Sequence, residues 1–448
     1  MGRLMKLLTL FAALSLLASA CGGDDDDDGT TTSAEAGADT TAAQSDDPVV
    51  FASSLPLTGE FAIPGSKHGD GYQFCVDEIN RLGGLLGRPV ELIIDDNQSV
   101  PETAVSQVQR HVDVEGADVL LGTFSSLLTF PASTEALNAD MVYPIPSGAA
   151  LRIWERGYEN LFYFQQDPAE LIGISPVEMI EHYVESGVID ELPATVAIAH
   201  ADDFFAEAIV KGLVGGEVEI PDSEEIVEIE SYLEAAGIEA VFVETWPVPF
   251  TDWNTLANSM KDSGAEMVFA ATASPDETIS LVNALATVDY DPQLVYMSQG
   301  AQSEFADTLG DRADGVTIHA AWHPLANWEG TLAGQPYTNQ DFIDGFTASF
   351  DRPPDEDEAI PFAVCQGMEQ AFLGTEGAGN PAMMEWLSAR TADDPVQTVL
   401  GDFHWDDRGL PVDRSLIMVQ WQGGELEFVY PVDEFEGTVD LVYPKPEW

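Results

Sequence analysis

The sequence predicts an α/β protein made of two doubly wound parallel-sheet lobes. Three observations predict it. Apolar strand-like runs alternate with amphipathic helical runs from Val49 to Ile145. A second alternation of the same kind runs from Leu161 to Met297. With 448 residues, 45% of them hydrophobic, the chain can bury a core in each half. Alternating β and α elements favour a parallel sheet covered on both faces.

In the first run, Val49 to Leu55 reads as a strand ending in the turn Pro56-Leu57-Thr58-Gly59. Ser66 to Leu82 reads as a helix stopped by Gly83-Gly84. Pro89 to Ile94 is a strand. Pro101 to Val114 is a helix whose early proline loses no hydrogen bond. Ala117 to Leu121, Leu127 to Leu137 and Met141 to Ile145 continue as strand, helix and strand.

In the second run, Leu161 to Gln165 and Ala194 to Ala199 read as strands around a helix at Pro168 to Glu185. Then follow a helix at Phe204 to Leu213, a strand at Ile238 to Val243, a helix at Trp253 to Ser263, a strand at Glu266 to Ala270, a helix at Glu277 to Leu285 and a strand at Leu294 to Met297. Gly215 to Glu234 is acidic and reads as an insertion. Beyond Ala301, the sequence predicts a helix at Phe362 to Leu373 and β-rich segments at Gly401 to Trp405, Ser415 to Trp421 and Leu426 to Tyr430. In open α/β sheets ligands bind beyond the carboxyl ends of the strands, so two facing lobes predict a ligand in the cleft between them.

The termini and charge bound the function. Arg3 and Lys6 precede an apolar run, Leu7 to Leu17, and then Ala18-Ser19-Ala20-Cys21. That run is short for a membrane span. The pattern resembles a bacterial lipoprotein signal, with residues 1–20 removed and Cys21 lipidated. It implies an extracytoplasmic protein anchored to the membrane by lipid. Residues 21–47 are rich in Asp, Gly, Thr, Ser and Ala, a composition that buries no apolar surface and suits a disordered acidic tether. The 79 acidic and 16 basic residues give a net charge of −63, which excludes nucleic acid and anionic lipid as partners. Such a surface is a solvated acidic shell or an adaptation to a saline habitat.

Catalytic and cofactor signatures are missing from the sequence: no His-Glu-x-x-His, no Gly-x-Ser-x-Gly elbow, no phosphate-binding glycine loop and no His/Cys metal cluster. No catalytic residue, metal or cofactor is therefore assigned, and a non-enzymatic binding role is expected. Cys75 and Cys365 either pair or stay as buried thiols.

Six segments resemble the type I periplasmic binding proteins of branched-chain amino-acid ABC importers, in family order. They are Leu55 to Ala62; Glu78-Ile79-Asn80 through Asp95-Asp96-Asn97 and Pro101; Gly122 to Ser126 with Pro131-Ala132; Pro146 to Ala150; Thr251-Asp252-Trp253 with Ser263-Gly264-Ala265; and Gly401 to Gly409. The resemblance implies two lobes joined by three hinge strands. Lobe one would be 48–165 plus 300–398, and lobe two 166–299 plus 399–448. It also implies a monomer that delivers a small molecule to a permease and ATPase complex; a sensor reporting ligand to a membrane receptor is the alternative.

The resemblance places the ligand against Ser125 and Ser126, whose backbone N–H groups and hydroxyls suit an anion. Either serine also suits an N-cap. Gly148, Ala149 and Ala150 form the second loop, where Ala150 replaces the family threonine. Phe205 takes the place of a lobe-two aromatic. Gln299 stands where binders of this family carry the glutamate that meets an ammonium group. Phe61 and Ser274 would line the cleft. Without a hydroxyl at Ala150 and a charge at Gln299, an amide, a urea-like compound or a small carboxylic acid fits at least as well as a branched-chain amino acid.

Overall fold

A computed structural model describes residues 47–221, 226–414, 416–432 and 435–448. The expected leader, Cys21 and most of the expected acidic tether lie outside the described residues. No helix among the described residues is long and apolar enough to cross a membrane.

The first lobe is built on three parallel strands in the order Val90–Asp96, Val49–Leu55, Val119–Leu121. Val49–Leu55 is nearly all buried, as a central parallel strand covered on both faces must be. A parallel pair, Tyr143–Ile145 with Leu161–Tyr163, leads out of this lobe. The second lobe holds a seven-stranded sheet. Five parallel strands run in the order Glu239–Trp246, Thr195–Ala201, Met267–Ala271, Leu294–Met297, Val316–Ala320. Ile417–Gln422 and Glu425–Tyr430 then add antiparallel, so this sheet is mixed.

Two of the expected lobe boundaries move. Val316–Ala320 hydrogen-bonds to Leu294–Met297, so residues 300–320 stay with the second lobe and the chain returns after Ala320. The hairpin Val396–Thr398 with Gly401–Phe403 buries Val396, Val399, Leu400, Phe403 and Trp405 in the first lobe's core, so the last crossing follows Trp405. The crossings are laced together: the Gln166 side chain donates to the Ala321 carbonyl at 2.9 Å, and Tyr163 N–H donates to the Gly409 carbonyl at 2.9 Å.

Other differences are local. The helix expected over Pro168 to Glu185 is two helices, Ala169–Ile172 and Ile174–Glu185, that meet at Gly173. The acidic insertion contains an antiparallel strand pair, Gly216–Glu219 with Ile226–Ile229, and a short helix, Tyr232–Ala236. The helix expected from Phe362 starts at Glu356 and runs to Gly374. Asp355 caps it in a capping box with Glu358, so Asp355-Glu356-Asp357-Glu358 was the start signal in the sequence.

That helix packs against Ala62–Arg81, and Cys75 and Cys365 form a disulfide between them. The two backbones come so close at Gly71 that a Cβ there would lie 2.4 Å from the Glu358 carbonyl oxygen. The disulfide and the close approach fix the Glu356 end of the helix against the first lobe, beside the cleft.

Candidate functional site

A cavity of about 50 Å³ lies where the two lobes meet. Its first-lobe wall begins with the loop after Val119–Leu121. Ser125 is the N-cap of the helix Ser126–Asn138, and its hydroxyl oxygen accepts from Leu128 N–H at 3.4 Å. Its backbone sits at φ 71°, ψ 150°. That region is nearly exclusive to glycine and costs about 1–3 kcal/mol for other residues, so the packing around Ser125 holds strain at this wall. Ser126 Oγ accepts from Ala150 N–H at 3.3 Å, which leaves the Ser126 hydroxyl proton available to a ligand.

This bond ties the second loop to the first. Thr129 Oγ1 also donates to the Ser147 carbonyl at 2.9 Å, and Trp154 Nε1 donates to the Gly148 carbonyl at 3.0 Å. Gly148 has to be glycine for space: a Cβ would lie 2.8 Å from the Thr129 methyl. The N–H of Ala150 and the carbonyl of Gly148 are thus committed inside the protein.

From the second lobe come Phe205 and Gln299. Phe205 is in the first turn of the helix Phe204–Val214, which Asp203 caps by accepting from Phe205 N–H at 2.9 Å and Ala206 N–H at 3.1 Å. Gln299 Oε1 accepts from Gln302 Nε2 at 3.1 Å. The same Gln302 nitrogen donates to Asp357 Oδ2 at 2.9 Å across the cleft. A second link joins the lobes at Lys67, which pairs with Asp355 on its own lobe and with Glu304 at 3.0 Å on the other.

Of the residues proposed from sequence, Ser125, Ser126, Gly148, Ala149, Phe205 and Gln299 line the cavity. Three stand behind the wall instead. Phe61 is fully buried and packs on the lining residue Phe124, ring centroids 5.7 Å apart. Ala150 is fully buried and turned to Ser126. Ser274 sits at the start of the helix Pro275–Thr287 with its N–H on Thr272 Oγ1 at 3.0 Å, while its neighbour Ala273 lines the cavity.

Sequence reasoning missed several lining residues: Tyr163, Gln165, His319, Glu356 and Asp357. Tyr163 and Gln165 belong to the first crossing. His319 is in the strand Val316–Ala320, which belongs to the second lobe. Its Nδ1 is 2.7 Å from the Tyr296 hydroxyl, and burial pushes its pKa down to about 4, so it is neutral at pH 7. Glu356 and Asp357 open the capped helix. Burial, reinforced by neighbouring acids, holds Glu356 well above the usual carboxylate range. Asp357 is pushed up to about 7 by burial and by Asp355, with Gln302 and Lys67 pulling back.

One pair has the residue types of a nucleophile and its base. His68 Nδ1 is 2.9 Å from the Pro64 carbonyl, which can only accept, so Nε2 accepts from the Ser147 hydroxyl at 3.3 Å. Burial pushes His68 down to about 4, which makes it a weak base at neutral pH. The described residues contain no group of three or more His, Cys, Asp or Glu side chains able to hold a metal. The geometry suits reversible enclosure of a small polar molecule.

Comparisons with known proteins agree with this architecture. A family model described as periplasmic binding protein matches residues 48–177 and 224–425. The chain is 24% identical over 398 residues to Leu/Ile/Val-binding protein homolog 7 of Brucella suis, covering 86% of this chain and 91% of the relative. It is 24% identical over 378 residues to an amino acid binding protein of Pseudomonas aeruginosa, covering 83% and 90%. Among solved structures, the branched-chain amino acid transporter substrate binding protein LivJ of Streptococcus pneumoniae, in complex with isoleucine, superposes with a TM-score of 0.70 at 19% identity, covering 89% of this chain and all of that one. An ABC transporter solute binding protein of R. palustris in complex with benzoate gives 0.66 at 17% identity, covering 90% and 98%. With the family model matched over most of its length and the two-lobed fold in place, the chain belongs to the periplasmic binding protein family.

Proposed function

We propose that the protein is the extracytoplasmic solute-binding component of an ABC importer. It captures a small amino-acid-like, amide or carboxylate solute by closure of its lobes and delivers it to a permease. It works as a monomer held to the membrane through lipidated Cys21. The observation that carries this reading is the cavity with walls from both lobes, bridged by Gln302–Asp357 and Lys67–Glu304. A solute in that space would be buried by closure and released by opening.

The helix Ser126–Asn138 begins at the cavity, where its amide dipoles and the Ser126 hydroxyl suit a carboxylate. Isoleucine and benzoate, held by two neighbours of the same fold, share that group. Thermal-shift and calorimetric titration with isoleucine, leucine, benzoate, propionamide and urea tests the reading. A ligand that binds only the folded protein raises its melting temperature. Ser126→Ala should weaken a carboxylate ligand by about tenfold or more, the worth of one charge-assisted hydrogen bond. A folded protein that responds to none of these compounds sinks the proposal.

A further inference from the structure

We infer that the captured solute presents a protonated nitrogen to Glu356 and Asp357, so that these two carboxylates of the first lobe, rather than the second-lobe position Gln299, receive its cationic end. This rests on the solute-capture reading above.

The charge inventory around the cavity is one-sided. Among the described residues, its wall holds two carboxylates, Glu356 and Asp357, and no lysine or arginine. His319, the imidazole in that wall, is neutral. The cations nearby are engaged elsewhere. Lys67 is held by Asp355 and Glu304. Arg352 is held by Glu358 at 2.6 Å and Asp70 at 2.8 Å. What Glu356 and Asp357 receive are neutral donors: Ala321 N–H to Glu356 Oε2 at 2.9 Å, and Gln302 Nε2 to Asp357 Oδ2 at 2.9 Å.

First-turn acids often serve only to cap a helix and complement its dipole. Here that task is done by Asp355 and Glu358, which complete the capping box. Asp357 is buried and Glu356 half-buried, and two adjacent carboxylates withdrawn from water with no cation in direct contact are costly. The cost is relieved either by protons or by a ligand cation. The Ser125–Ser126 helix start lines the same cavity and suits an anion, so the cavity offers partners for both charges of a zwitterion.

Binding is therefore coupled to pH. Without ligand, Asp357 keeps its proton up to about pH 7, and burial with the neighbouring acids holds Glu356 well above the usual carboxylate range. A ligand cation favours the ionised pair, so binding expels protons. Below about pH 7, affinity should rise about tenfold per pH unit for each proton displaced.

The test uses four probes on one carbon skeleton: leucine, isoamylamine, isocaproate and isocaproamide. Calorimetry in two buffers of different ionisation enthalpy counts the protons released. The expected result is that leucine and isoamylamine bind with proton release, and that isocaproate and isocaproamide bind at least tenfold more weakly. The Glu356→Gln/Asp357→Asn variant, checked for a native melting transition, should lose the preference for amines and the proton release together. If isocaproate or isocaproamide binds as tightly as leucine with no proton released, solute capture stands and the assignment of the cationic end falls. If the folded protein binds none of the four, the assignment of the cationic end falls, and solute capture falls with it when isoleucine, benzoate, propionamide and urea fail as well.

Discussion

Replacing Glu369 with glutamine should stabilise the protein by an amount that grows with pH. Glu369 lies in the middle of the Glu356–Gly374 helix with no exposed surface, and neither carboxylate oxygen has a hydrogen-bond partner at bonding geometry among the described residues. Burial pushes its pKa from 4.5 up to about 8, and the nearby Ala333 backbone offsets only part of the effect. The unfolded chain releases this proton near 4.5 and the folded chain near 8, so stability is intact at low pH and is lost as pH climbs between those values. At about 1.4 kcal/mol for each pH unit that separates the two values, the full loss above pH 8 is on the order of 5 kcal/mol. Glutamine keeps the shape and carries no charge. Urea unfolding of both proteins, in about 1 M NaCl to screen the surface, reads the difference. At about pH 5 the variant should gain under about 1 kcal/mol, and at about pH 8.5 about 3–5 kcal/mol. An equal gain at both pH values would refute the reasoning, because it would place the effect in packing rather than in a buried charge.

Three further outcomes are expected. Cys75 and Cys365 are 290 residues apart in sequence, so replacing both with alanine should lower stability by about 2–5 kcal/mol, measured by denaturant unfolding without reductant; reduction of the wild type should match it. A Cβ at Gly212 would lie 1.7 Å from the Glu170 carbonyl, where the helix Phe204–Val214 crosses Ala169–Ile172, so Gly212→Ala should cost more than about 2 kcal/mol by the same measurement. With a net charge of −63, the melting temperature should rise between about 0.1 M and 1 M NaCl, as the screening length falls from about 10 Å to 3 Å; a fall would mean that ion pairs outweigh self-repulsion.

The two loops of the first lobe were legible through the family resemblance, which short local segments carry. Ser125-Ser126 and Gly148-Ala149 follow apolar runs and precede helices, which is the place where open α/β sheets bind ligands. Phe205 and Gln299 follow the same rule in the second lobe. The resemblance also put Phe61, Ala150 and Ser274 at the cleft, and they stand one layer behind the wall, since spacing along a loop does not tell which side chain turns inward. The lobe boundaries failed for a related reason. No strand is predicted at Val316–Ala320 from the sequence, and only its pairing with Leu294–Met297 shows to which sheet it belongs.

The sequence by itself determined the alternation of strands and helices, the lobed α/β class and the acidic surface. These depend on hydrophobic period, turn residues and composition, all of which are local. The tertiary structure decided which of the 79 acidic side chains matter. Glu356, Asp357 and Glu369 are written in the same letters as the carboxylates of the solvated surface. What separates them is desolvation, a property of the atoms packed around a group, which come from distant parts of the chain. The same is true of the bond between Cys75 and Cys365, which exists because two helices far apart in sequence are packed side by side.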